Sequence, residues 1–237
     1  CTFKVGQNIR GRKIGERLLY TAFKHAFISK IDYVYLHTYG KEHQLLVNLC
    51  LEFGFELAGK YKRDDVYIKR MCATRSTTNG MTPLEYSIHY YPCCLDSEVV
   101  NKFIIPIRPM FHNELFADIS DTAHGLFAHD PGQYGSHANT IKKAYICNAV
   151  TTQLRPGDLL FFFRTEDRRS VECFGIVEQT YRGRDIDIVL PLVSKRTVYS
   201  KVEIEEMLNK EVLVILFRYI RDFAPVSNSV LSRAGII

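Results

Sequence analysis

The hydrophobic periodicity of the chain changes abruptly near its middle, and that change constrains the fold more than any other feature. Up to about residue 72 the pattern alternates between strand and helix. Thr2–Val5 reads as a strand, and a turn-rich loop from Gly6 to Gly11 leads into a helix over Arg12–Ile28, with Ile14, Leu18, Leu19, Ala22, Phe23 and Ala26 on one apolar stripe. Asp32–Thr38 alternates as a strand. Lys41–Phe53 reads as a second helix closed by Gly54, the natural left-handed terminator, and Phe55–Lys62 with Val66–Arg70 as a hairpin. From Phe103 onward strands dominate: Phe103–Ile107, Lys143–Cys147, Leu159–Arg164, Val171–Thr180, Asp187–Val193 and Val212–Tyr219. Pro156-Gly157-Asp158 is the clearest turn between them, Val202–Leu208 is predicted helical, and Ser227 or Asn228 caps a short terminal helix. Between the two patterns, Ser76-Thr77-Thr78-Asn79-Gly80 is a polar break and Pro83 starts a short helix, so residues 73–102 are predicted to be a linker.

The 237 residues suffice for two small domains, and no apolar run approaches the roughly 18 residues that a spanning helix requires. The first residues, Cys1-Thr2-Phe3-Lys4-Val5, carry neither an initiator Met nor the apolar stretch of a signal peptide, so the chain reads as part of a longer protein. Seven cysteines with no C-x-x-C spacing read as buried free thiols of a reducing compartment, with the cytoplasm as the default location. The net charge is +5, and all of the excess lies early: residues 1–102 hold 15 Lys and Arg against 10 Asp and Glu, residues 103–237 hold 16 against 16. A basic first half suits an anionic cofactor or a nucleic acid and does not choose between them.

Arg10-Gly11-Arg12-Lys13-Ile14-Gly15 stands between a strand and a helix, where unpaired backbone N–H groups and the positive helix end form an anion site. This stretch is similar to the coenzyme A loop of GNAT-type acyltransferases, with Arg10 and Gly15 at the ends of the pattern and Lys13 where a middle glycine is expected. Leu49-Cys50-Leu51-Glu52-Phe53-Gly54-Phe55-Glu56 resembles the same family's later helix and the start of its last two strands. The resemblance implies that residues 1–72 are the acetyl-coenzyme A-binding half of such a domain, with Phe3, Val5, Arg10, Gly11, Arg12, Lys13, Ile14, Gly15 and His43 as cofactor contacts. It implies acetyl transfer to an amine. The family's acidic Tyr is matched by Cys50, which is either a proton donor to the thiolate or a core residue; the front half that shapes the acceptor site has no counterpart here.

Lys142-Lys143-Ala144-Tyr145-Ile146-Cys147, then Leu154-Arg155-Pro156-Gly157-Asp158 with the aromatic run Phe161-Phe162-Phe163-Arg164, then Phe174-Gly175-Ile176-Val177-Glu178, resemble PUA-like barrels of the ASCH and EVE branches over about Phe103–Phe223, within a predicted domain of residues 103–237. The expected fold class is therefore α+β, a partial GNAT-like mixed sheet followed by a small PUA-like barrel with helices. Such barrels recognise RNA or a modified base, which implies phosphate contacts from Lys142, Lys143, Arg164, Arg168, Arg169, Lys195 and Arg196, and stacking on Tyr145, Phe163 and Tyr199. On a strand Phe161–Phe163 must point alternately to opposite faces, so at least one face is expected to be core. The rival to acyl transfer is a binding module in which the GNAT-like half is only a scaffold. His112, His124, His129 and His137, with Asp118, Asp121 and Asp130, fit no standard metal spacing, so no metal is expected.

Overall fold

The computed structural model describes residues 5, 6, 8, 10–39, 41–71, 80–117 and 136–237. It divides into two compact units, one of residues 19–100 and one of residues 1–18 with 101–237. The expected strand at Thr2–Val5 lies outside the described residues except for Val5. No helix among the described residues is long and apolar enough to cross a membrane.

In the first unit the elements follow the predicted order: α1 (Ile14–Ile28, whose first turn belongs to the other unit), β1 (Tyr33–Thr38), α2 (Gln44–Leu51), β2 (Glu56–Tyr61), β3 (Asp64–Arg70) and α3 (Pro83–His89). The three strands form an antiparallel sheet in the order β1-β3-β2. Its core is aromatic, with Phe23 of α1 meeting Phe53, Phe55 and Tyr91 at 5.7–6.3 Å between ring centroids. Residues 80–100, read from sequence as linker, pack within this unit. The reason is local: Thr82 and Glu85 form a reciprocal capping box with Pro83 in the first turn, which nucleates α3. The end of α3 then docks on the turn after α2. Gly54 has φ +79°, and a Cβ there would lie 2.4 Å from Ile88 O and 2.8 Å from His89 Cα and O, all backbone atoms. The same His89 carbonyl accepts from Nζ of the fully buried Lys69 at 2.7 Å.

The second unit holds β4 (Lys102–Ile107), α4 (Pro109–Leu115), a 3-10 turn at Ser136–Asn139, β5 (Lys142–Cys147), β6 (Leu159–Arg164), β7 (Ser170–Gly183), α5 (Ile186–Val193), α6 (Lys201–Met207), β8 (Val212–Ser227) and α7 (Asn228–Arg233). Five strands form one sheet ordered β4-β6-β7-β8-β5, with only the β4/β6 pair parallel. The two edge strands approach each other: Tyr145 of β5 donates its hydroxyl to Pro106 O of β4 at 2.9 Å, so the sheet is curled nearly into a barrel. Inside the curl Phe162 packs on Phe217 and Phe116 at 4.8–4.9 Å. Outside, α5 and α6 bury Val189, Val193 and Ile204 against Ala144, Ile146, Val212, Val214 and Leu216. Gly175 lets β7 and β8 close, since a Cβ there would meet Phe217 Cδ2 at 2.6 Å and Arg218 O at 2.8 Å.

One predicted strand is corrected. Asp187–Val193 is helical, because Asp185 caps it by accepting from Asp187 N and because the six-residue apolar run Ile188–Val193 fits a short buried helix as well as a strand. Two inner strands run further than predicted, β7 over Ser170–Gly183 rather than Val171–Thr180 and β8 to Ser227 rather than Tyr219. The rings of Phe161–Phe163 divide as expected, with Phe162 in the core and Phe161 stacked on Phe174 of β7 at 5.5 Å.

Gly54→Ala should cost at least about 3 kcal/mol, since left-handed strain and a backbone clash add. A lower urea midpoint by far-UV circular dichroism checks it; an unchanged midpoint would remove the docking of α3 on this turn.

Candidate nucleic-acid interface

The loop before α1 is stitched to the curled sheet by buried polar groups. Gly11 (φ +82°) and Lys13 (φ +61°) are both left-handed, so Lys13 adopts the conformation that a glycine favours at the position where the resemblance expects one. What holds Lys13 there is Glu16, 3% exposed, whose carboxylate accepts Lys13 Nζ at 2.7 Å and the backbone N–H of Ile141 at 3.0 Å. Asn139, also buried, donates Nδ2 to Arg12 O at 3.0 Å and accepts from Arg17 NH1 at 3.2 Å. Lys195 Nζ reaches Gly11 O at 3.4 Å.

This arrangement changes the chemistry expected of the loop. The positive end of α1 already holds an anion, the Glu16 carboxylate, and Lys13 is engaged with it rather than directed outward. Ile14 is core and Gly15 is half-buried inside the helix. Arg10 and Arg12 remain exposed, and the turn after α5 brings Lys195 and Arg196 to the same loop, with Arg196 O accepting from Ala144 N of β5 at 2.9 Å. Lys142 is half-buried and directly follows Ile141, whose backbone N–H is bonded to Glu16 of the same helix start. A basic rim of Arg10, Arg12, Lys195, Arg196 and Lys142 results, drawing on both sets of residues singled out in the sequence.

The remaining predicted contacts sit elsewhere. Phe3 lies outside the described residues, and Val5 is half-buried. His43 is exposed ahead of α2 and makes no side-chain cap bond. Cys50 is fully buried, and burial pushes its thiol up to about 12, the condition of a core residue rather than of a proton donor to a ligand. Lys143 alternates to the inside of the curl, 3% exposed, where Nζ donates to His137 O at 2.9 Å and stands 5.9 Å from the centre of the Phe116 ring. Arg164 is 7% exposed and donates to Asp167 through Nε at 2.8 Å and to Asn113 Oδ1 at 2.7 Å, so as a phosphate contact it is corrected to a structural cation. Its guanidinium holds Asp167 down to about 2. Arg168 neutralises Glu172, a carboxylate buried beside Ser170, while Arg169 is exposed at the β6–β7 turn. That turn is not part of the rim: Ser170 pairs with Ser227, nine residues along β8 from the Arg218 that faces Lys142, about 30 Å of extended strand.

Two of the three proposed stacking rings are engaged within the fold. Tyr145 closes the sheet, and burial pushes the pKa of its hydroxyl further up from the ordinary phenol value, so it stays protonated near neutrality. Tyr199 lies against Phe111 at 5.0 Å. Phe163 is half-buried on β6. His124, His129, Asp118, Asp121 and Asp130 lie outside the described residues, and among the described residues no three ligand-type side chains are grouped to hold a metal.

Sequence reasoning missed the interior polar cluster. His112 on α4 is 2% exposed, with Nδ1 3.5 Å from Arg164 NH1 and Nε2 3.9 Å from Cys173 Sγ, which suits a neutral ring protonated on Nε2. Burial, and then the Arg164 charge, lower its pKa to about 4. No sequence signal marks this, because the partners come from α4, β6 and β7, 52 and 61 residues away.

Neither a family model nor a curated protein matches the chain. Among solved structures it is similar to the ASCH protein from Zymomonas mobilis, at 13% identity over 56% of this chain and 78% of that one, with a TM-score of 0.41. Two single-residue variants of that protein match at 12% and 13% identity with the same TM-score, over 56% of this chain and 78% and 80% of theirs. The likeness found is to ASCH proteins, and the acyltransferase resemblance of residues 1–72 finds no counterpart among these structures.

His112 makes stability depend on pH. The unfolded imidazole takes up its proton near pH 6.5 and the native one only near 4, so its contribution is full above 6.5 and is lost as the pH falls to about 4. The loss should approach about 3 kcal/mol, and His112→Gln should flatten the urea-midpoint profile across that window.

Proposed function

We propose that the protein binds RNA, with the phosphate backbone held on the basic rim of Arg10, Arg12, Lys195, Arg196 and Lys142. The observation that carries this reading is the contact of Lys195 Nζ with Gly11 O, together with the Asn139 bond to Arg12 O, which draws cations from two distant parts of the chain onto one surface. Cations at such a surface act through counterion release and need no base contact. The reading agrees with what the PUA-like sequence resemblance implies.

Acetyl transfer from acetyl-coenzyme A is the alternative implied by residues 1–72, and the geometry does not favour it. A pyrophosphate at the mouth of α1 would meet the Glu16 carboxylate, and Cys50 is sealed in the core.

Charge reversal of Arg12, Lys195 and Arg196 tests the proposal. Each change should weaken RNA binding, measured by fluorescence anisotropy, and reduce the slope of log K against log salt by about 1. Unchanged affinity and slope in the triple variant would remove the rim from the interface. Saturable binding of acetyl-coenzyme A that is lost in Gly15→Glu would instead restore the cofactor loop.

A further inference from the structure

In the three-stranded sheet of the first unit the register of β1 on β3 sets side chains alternately on a side packed against the core and on an open side. Directly paired residues share a face. Val34 with Lys69, and Leu36 with Tyr67, point to the core side, where Lys69 and Tyr67 are buried. The opposite side carries Tyr33 with Arg70, Tyr35 with Ile68, His37 with Val66, and Tyr61 with Asp64. Tyr33, Tyr35 and Tyr61 are 50%, 71% and 57% exposed. Apolar rings left this open on a regular sheet are costly to keep in water without a partner.

The partner is argued from what surrounds the rings. The Arg70 guanidinium lies 5.7 Å from the Tyr33 ring centre and Lys62 Nζ 5.2 Å from that of Tyr61. His37 is edge-on to Tyr61 at 6.3 Å, its Nδ1 bonded to Asp64 at 2.7 Å. Lys62 and Arg63 form the exposed turn of the hairpin beside Tyr61. Rings interleaved with cations suit a ligand with flat π-faces and a negative backbone, and they suit an apolar protein surface poorly. Tyr33 and Tyr35, alternate residues on one strand, are about 6.6 Å apart, wide enough for each ring to take a separate base. Residues 19–100, the unit that holds this sheet, carry nine Lys and Arg against nine Asp and Glu, so the cations beside the rings are a local arrangement and not a share of a basic half.

We infer that this open sheet face is a binding site for single-stranded RNA, with Tyr33, Tyr35 and Tyr61 stacking on bases and Arg70, Lys62 and Arg63 meeting the backbone. Stacking of this kind is tolerant of sequence, because every base has a π-face. The inference rests on the proposal that the chain binds RNA, and it assigns a surface other than the basic rim.

The test uses the full chain and a fluorescent oligouridylate of about ten nucleotides. Tyr35→Ala combined with Tyr61→Ala should weaken binding at least about tenfold while leaving the salt slope unchanged, because stacking releases no counterions. Tyr35→Phe should retain affinity. With 4-thiouridine in the oligonucleotide, ultraviolet crosslinks should map to the peptides of Tyr33, Tyr35 or Tyr61. The inference is overturned if the double variant binds like the wild type, if the oligonucleotide does not bind at all, or if the substitutions dissolve a dimer that forms without RNA. Loss of binding on charge reversal of the rim, with the tyrosine variants unaffected, would leave the proposed function standing and remove this face alone.

Discussion

The Glu16 carboxylate is the group on which the functional surface depends. It is buried at the first turn of α1, where the helix end favours a negative charge, and it joins Lys13 of the loop to the backbone of Ile141 at the entry to β5. Removing it would leave a buried N–H without an acceptor and release the left-handed Lys13 from the contact that holds it, a loss on the order of 2–3 kcal/mol. Its position also decides what the loop can do. An acidic side chain has taken the site that a phosphate would use, so the loop's exposed arginines face outward from a helix end that is already neutralised.

Burial sorts the cations of the second unit into two populations that their sequence does not distinguish. Arg164, Arg168 and Arg218 are each matched to a carboxylate, Asp167, Glu172 and Glu178, and two of those arginines are almost fully buried. These pairs account for part of the balanced charge count of residues 103–237. A neutral total therefore coexists with a basic rim, because the acids are spent on interior arginines while Lys195 and Arg196 have no carboxylate partner among the described residues.

The elements of the fold were legible where periodicity and punctuation agreed. Gly54 announced the end of α2, Pro156-Gly157-Asp158 the turn before β6, and Ser200 with Glu203 supports the helix at Lys201–Met207 through a capping box. The Pro-Gly-Asp turn proves to be structural: Asp158 accepts from the backbone N–H groups of Arg155 and Asn101, tying β4 to the turn. Asp187–Val193 failed because a run such as Ile-Val-Leu-Pro-Leu-Val is apolar at every spacing, and only the cap at Asp185 separates helix from strand. Residues 80–100, the part of the predicted linker that packs in the first unit, were not legible for a different reason: the polar composition at Ser76–Gly80 is local, whereas the packing of α3 on Gly54 is a contact across some 35 positions. The site was half legible. Its residue types were identified, but Arg164 and Lys143 could be told from Lys195 and Arg196 only by which face of a strand or turn they occupy.

The hydroxyl of Tyr145 on the carbonyl of Pro106 has a consequence for the protein's behaviour in a crowded solution. Open sheet edges are templates on which other chains add strands, and β4 and β5 are the two edges of the five-stranded sheet. Bringing them together over a side-chain bond, with a proline on one that lacks an N–H, denies an incoming strand both borders at once. The curl that builds the aromatic interior is thereby also a guard against fibrous self-association.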